Sequence, residues 1–231
     1  MGSFGEILKR AEERKGGAEA VKARMPKAPD HDGLRAMPDD RLLSTMTRHV
    51  FYAGFVRNII DAKWPGFEAA FSNFDTAFLT FAPEDYWHER TADPRIVRNG
   101  AKIMSVRANA EFIRRLAEEH GSAGRFLADW PVDDHIGLLA VLEKRANRLG
   151  GMSGQYFLRS VGRDCFVMTQ DVLACLRNAG VPISSGKPSK KDLRLIQDQF
   201  NSWGAETGLP QSYLSRICAL SIGMPSEGEI P

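Results

Sequence analysis

Apolar residues recur along this chain at helical spacing, and no segment carries the two-residue alternation of a strand. Leu42, Leu43, Met46 and Val50 share one face of a segment that opens at Pro38-Asp39-Asp40. Ile103, Val106, Ala110, Ile113 and Ala117 line a second face, and Ile136, Leu139 and Leu142 a third. Thr169 starts a helix bearing Val172, Leu173 and Leu176. Leu193, Ile196, Phe200 and Trp203 follow a capping-box-like Ser189-Lys190-Lys191-Asp192, and Gly208 ends that helix. Pro210 starts a last one with Leu214, Ile217 and Cys218 inside. The pattern predicts an all-α fold without internal repeats.

Between these segments the pattern is less regular. The aromatic stretch Arg48–Ile60 (RHVFYAGFVRNII) is predicted to run as helix through Gly54. A mid-helix glycine costs about 1 kcal/mol against alanine, so close packing is expected there. Phe81-Ala82-Pro83-Glu84 begins a short helix, and 121–131 reads as a loop. Asp133-Asp134 are expected to cap the helix that follows, with His135 at its start. Near the N-terminus Phe4, Ile7, Leu8 and Ala11 suit a short amphipathic helix. The charged, Gly/Pro-broken stretch after it is expected to pack weakly, and the tail from Pro225 to fray.

Composition narrows the function classes. The 231 residues suffice for one large or two modest domains. A formal net charge of only +2 excludes an overall basic field, so any affinity for nucleic acid must come from a local patch. Cys165, Cys175 and Cys218 form no CxxC, which points to a reducing compartment rather than a disulfide framework. No apolar run reaches membrane-spanning length, so a cytoplasmic protein is expected. His31-Asp32 lacks a second ligand pair at metal spacing, and no metal or cofactor is expected.

The chemically informative stretch is 146–181 (ANRLGGMSGQYFLRSVGRDCFVMTQDVLACLRNAGV). Helical periodicity breaks at Gly150-Gly151, where a backbone can turn tightly and approach another surface closely. The next helix opens with unpaired N–H groups and the positive end of its dipole, a natural phosphate site. Lys144, Arg145, Arg148, Arg159 and Arg163 flank it. On pattern alone, a plain helix corner with solvated arginines fits as well.

Leu149-Gly150-Gly151-Met152-Ser153 resembles the Leu-Pro-Gly-Val-Gly hairpin of the helix-hairpin-helix DNA glycosylase superfamily. Gly162–Val172 resembles the segment that carries its catalytic aspartate, although Thr169 stands at the matching position, two residues before Asp171. Serine replaces the second hairpin glycine. Tyr52-Ala53-Gly54-Phe55, Phe71-Ser72-Asn73-Phe74-Asp75, and Arg98 with Lys102-Ile103 and Asn109-Ala110 are similar to the 3-methyladenine DNA glycosylase I family. Carried across, that family's pocket glutamate falls on His49 and its pocket tryptophan on Arg57.

The resemblance implies a helix-hairpin-helix glycosylase-like fold, two helical subdomains with a cleft between them. It implies a monofunctional base-excision DNA glycosylase that flips an alkylated, 3-methyladenine-like purine from double-stranded DNA and hydrolyses its N-glycosidic bond. Gln155 stands where bifunctional members carry a Schiff-base lysine. Asp171 and His49 are the catalytic candidates, and Phe51, Tyr52 and Phe55 the base-pocket aromatics. Arg148, Gly150, Gly151, Ser153, Gly154 and Gln155 are the DNA-gripping set. Residues 1–37 are expected as an arm, 38–182 as the glycosylase-like domain with its hairpin at 145–162, and 183–231 as an extension packing on the N-terminal part. A monomer is the default. The altered positions also suit a catalytically silent helix-hairpin-helix DNA-binding protein, and a hairpin that serves only protein packing is the third reading.

Overall fold

The computed structural model describes residues 3–222 and, among them, is helical with no strand. In chain order the helices are α1 (Phe4–Lys15), α2 (Ala18–Lys22), α3 (His31–Ala36), α4 (Asp39–Tyr52), α5 (Arg57–Ala62), α6 (Trp64–Ala70), α7 (Thr76–Phe81), α8 (Glu84–Ala92), α9 (Gly100–His120), α10 (Ala123–Asp129), α11 (His135–Arg145), α12 (Met152–Ser160), α13 (Gln170–Asn178), α14 (Lys190–Thr207) and α15 (Gln211–Ile222). The all-α expectation is borne out. No helix among the described residues is long and apolar enough to cross a membrane. The expected fraying from Pro225 lies outside the described residues.

The chain forms two compact units that interleave along the sequence. One takes residues up to Pro29, Pro131–Ile136 and everything from Asp164 onward; the other takes Asp30–Trp130 and Gly137–Arg163. The divisions 1–37, 38–182 and 183–231 do not follow these lines, because core-forming contacts join segments remote in sequence. In the first unit Phe4, Ile7, Ala11 and Val21 share a core with Phe166, Leu176, Ile196, Phe200, Trp203 and Leu214. The expectation of a weakly packed stretch after α1 is thereby corrected. Its charges face water while Val21 is buried, and Arg216 Nε donates to the Arg24 carbonyl at 2.9 Å. From Asp30 the chain joins the second unit, where its amide donates to the Gly162 carbonyl at 2.8 Å.

Helix starts in the first unit are held by side chains. Ser189 and Asp192 form a reciprocal capping box at α14. Asp133 and Asp134 lie in a 3-10 turn, Val132–Asp134, directly before α11, whose Ile136 amide donates to Gln197 Oε1 at 2.9 Å. His135 is buried with its ring edge-on to Phe166 at 4.6 Å.

The second unit is built on an aromatic core. Trp64 stacks on Phe67 and on Phe74 at 4.9 and 5.7 Å, and Phe51 meets Phe67 edge-on at 4.7 Å. Glu68 ties this core to α4, accepting from Ser44 (2.7 Å), Trp64 (2.9 Å) and both ends of the Arg41 guanidinium (3.0 Å). In Phe71-Ser72-Asn73-Phe74-Asp75 both phenylalanines are core, Ser72 to Phe74 take left-handed φ, and Asp75 caps α7 by accepting from the Phe78 amide at 2.9 Å.

Gly54 corrects the helix drawn through it. Helix α4 ends at Tyr52, and Gly54 turns the chain at φ +86° with nothing near its would-be Cβ. A left-handed residue costs an L side chain about 1–2 kcal/mol, so glycine is used for conformation and not for close packing. The Lys102 ammonium satisfies the carbonyls of Val50 (2.6 Å) and Ala53, sealing the helix end that its charge also favours.

Candidate DNA-binding hairpin and base site

The loop between α11 and α12 is a tight hairpin whose shape follows from three residues. Arg148 and Gly151 both adopt φ +61°. Glycine accepts this freely, whereas Arg148 is held there, donating from Nε to the Ala101 carbonyl at 3.1 Å. Gly154 sits in the first turn of α12, where a Cβ would lie 2.2 Å from the Leu149 carbonyl oxygen. The close backbone approach therefore falls on Gly154, and the open turn on Gly151. Leu149 is buried beneath, while Gly150 and Gly151 are exposed.

Asn109 fixes the hairpin to α9. Its amide, wholly buried, accepts from the Asn147 N–H at 2.7 Å and donates to the Asn147 carbonyl at 3.1 Å. The first turn of α12 has no side-chain cap, leaving backbone N–H groups directed out of the helix start. Ser153 is half-buried there, and Gln155 is buried with its Nε2 donating to the Gly151 carbonyl at 3.2 Å.

Helix α12 runs from the hairpin to the turn after α4, and this juxtaposition makes the site. His49 Nε2 and Ser160 Oγ lie 2.8 Å apart. The His49 ring meets the Tyr52 ring edge-on at 5.4 Å. The Arg57 guanidinium lies over Tyr52 at 4.9 Å and over Tyr156 at 5.6 Å. Tyr52 donates its hydroxyl proton to Asp61 at 2.5 Å, and Arg48, 3.9 Å from the same carboxylate, covers Trp64 at 4.2 Å. Burial, with the charges of Arg57 and Arg48 beside it, lowers the His49 pKa to about 4, so its imidazole is neutral at pH 7. Burial and Asp61 raise Tyr52 to about 12.

The candidates thus divide. His49 and Tyr52 meet in one cluster, and Phe55 is half-buried beside it, stacked at 6.5 Å on Phe51 and facing the Lys102 ammonium at 5.1 Å. Phe51 itself is fully buried against Phe67. Its ring is core and offers no free face, which corrects its assignment to a base pocket. Asp171 belongs to the other unit, exposed in the first turn of α13, whose cap is Thr169 accepting from the Val172 amide at 3.2 Å. Tyr156 and Ser160 went unrecognised in the sequence. Their i, i+4 spacing on the helix after the hairpin was the available signal.

Solved structures share this fold. The 8-oxoguanine DNA glycosylase of Methanocaldococcus jannaschii superposes with a TM-score of 0.52 at 15% identity, over 91% of this chain and 90% of that one. The enzyme of the same name from Thermotoga maritima gives 0.50 at 15%, over 93% and 95%. The 3-methyladenine DNA glycosylase I of Staphylococcus aureus gives 0.49 at 18%, over 66% and 91%. The fold is that of the helical DNA glycosylases. Residues 30–138 match the family model described as Methyladenine glycosylase, which bears out the resemblance read from the sequence. No curated protein matches significantly.

Proposed function

We propose that this chain is a monofunctional base-excision DNA glycosylase, which grips duplex DNA by the hairpin and extrudes a damaged purine to the His49–Tyr52–Arg57 cluster. The observation that carries this is the junction of the two parts on one helix. Helix α12 opens at the hairpin and presents Tyr156 and Ser160 to Arg57 and His49. Phosphate held by the α12 N–H groups and Arg148 carries no sequence information, so binding weakens steeply with salt. Tyr52 and Tyr156 supply aromatic faces beside the extruded base, and the exposed apolar pair Val56 and Ile59 flanks Arg57 where a wedge between base steps would stand. Asp171 is the candidate carboxylate for orienting water and stabilising the developing sugar cation. The family match makes methylated purines the first substrates to assay.

The placement of Asp171 favours one second reading, a silent DNA-binding protein on the same scaffold. An exposed carboxylate in a first helical turn is already accounted for by the dipole of α13. Base release from methylated duplex DNA by wild type, Asp171→Asn and Gly151→Lys separates the two. Release reduced by both substitutions establishes the enzyme and its carboxylate. Release surviving Asp171→Asn keeps the enzyme and places its chemistry at the His49 cluster. Salt-sensitive binding without any release, lost in Gly151→Lys, makes it a binding protein.

A further inference from the structure

The cluster on α12 and the α4–α5 turn carries an uncommon charge. Among its members, Arg48 and Arg57 are cationic, Asp61 is the carboxylate, and His49 is neutral at pH 7. Asp61 is engaged by the Tyr52 hydroxyl and Arg48. Arg57 lies against two tyrosine rings, and among the described residues its guanidinium makes no hydrogen bond or ion pair. The two rings hold the guanidinium in place while its N–H groups stay uncommitted. Such a fork suits a pair of acceptors and opposes a cation.

Resting on the glycosylase reading above, we propose that this site also excises an uncharged 6-oxopurine, with the Arg57 fork on its O6 and N7 acceptors. An Arg fork on that pair is the commonest specific contact to guanine-type bases. The chemistry favours the same assignment. On hydrolysis the N9–C1′ bond breaks, water oxygen bonds to C1′, and the purine leaves with the electron pair before taking a proton from that water. A neutral purine therefore gathers negative charge on O6 and the ring nitrogens as it leaves, and a fixed guanidinium stabilises that charge. A purine made cationic by methylation leaves as a neutral base, gains nothing from Arg57 and is repelled in the ground state. The imidazole of His49, bonded to Ser160, adds no charge against either.

The test is release of hypoxanthine, a neutral 6-oxopurine, and of 7-methylguanine, which is cationic with its N7 blocked, from otherwise identical duplexes. Wild type, Arg57→Leu and Arg57→Lys are compared. Arg57 is exposed, so folding of both variants is checked simply by thermal melting. The expected result is hypoxanthine release by wild type, with the hypoxanthine to 7-methylguanine rate ratio falling about tenfold or more in Arg57→Leu. Arg57→Lys, which keeps the charge and loses the fork, should fall between. An unchanged ratio, or 7-methylguanine release without hypoxanthine release, overturns the assignment and leaves the glycosylase reading standing. Release of neither base overturns the assignment, and release of 3-methyladenine from methylated duplex DNA by the same preparation then decides the glycosylase reading separately.

Discussion

Asn109 offers the sharpest test of how the hairpin is held. Replacing it by leucine keeps the volume close and removes two hydrogen bonds to Asn147, of 2.7 and 3.1 Å. Each such bond is worth about 0.5–1.5 kcal/mol net. Asn147 is exposed, so its freed N–H and carbonyl rehydrate, and the loss should stay near about 1–2 kcal/mol. For a chain of this size that lowers Tm by about 2–8 °C. The larger consequence is local. Freeing one backbone residue returns about 1–2 kcal/mol of conformational entropy that DNA binding must then remove, about tenfold in Kd. Hydrogen exchange at the Asn147 amide reads the anchor directly, and fluorescence anisotropy with a labelled duplex reads the affinity. An Asn147 amide that stays protected in Asn109→Leu, with an unchanged melt, would refute the reasoning, since the hairpin would then be fixed elsewhere.

Three further outcomes are expected. Gly154→Ala gains about 1 kcal/mol of helix propensity, yet its Cβ meets the Leu149 carbonyl at 2.2 Å, and strain of about 1–3 kcal/mol makes the variant less stable in urea; a more stable variant contradicts the close approach. Lys102→Met keeps the stem and strips the ammonium from the Val50 and Ala53 carbonyls, costing about 2 kcal/mol in unfolding free energy and loosening the Gly54 turn; an unchanged midpoint contradicts the seal. The folded-state pKa of His49, about 4, lies below its ordinary 6.5, so between these values the unfolded chain binds the extra proton. Stability should therefore fall by about 3 kcal/mol as pH drops from about 6.5 to about 4, and His49→Gln should flatten that slope in denaturant titrations at pH 7 and 4.5.

Much of the fold was legible because its helices are amphipathic and their ends chemically marked. The faces of α4, α9, α13 and α14 follow the 3.6-residue period, and the start of α14 is signalled by Ser189 and Asp192. What failed was local context supplied from afar. Nothing near Gly54 in sequence shows that Lys102 will take the carbonyls at the end of α4, so the aromatic stretch reads as one helix when it is a helix, a left-handed turn and a second helix. The bond from the start of α11 to Gln197 was unreadable for the same reason, since the two residues lie 61 positions apart. Weak packing was expected after α1 because charge dominates there, although Phe4, Ile7, Ala11 and Val21 suffice to enter the core. Of the site, the hairpin and His49 were readable, whereas Phe51 and Phe55 differ in burial by a margin that aromatic spacing does not reveal.

The two departures at the site also make more sense together than apart. A carboxylate at position 49 would sit beside Arg57 and Arg48, whose charges already bear on the ring that is there. It would pair with a guanidinium and leave the cluster close to neutral, with the fork of Arg57 occupied. A neutral imidazole that spends its Nε2 on Ser160 leaves Arg57 stacked and unspent. Restoring the carboxylate with His49→Glu while keeping Arg57 should thus quench the guanidinium rather than recover a cation-binding pocket. The pair of residues, and not either one, sets the sign of the charge this cluster presents.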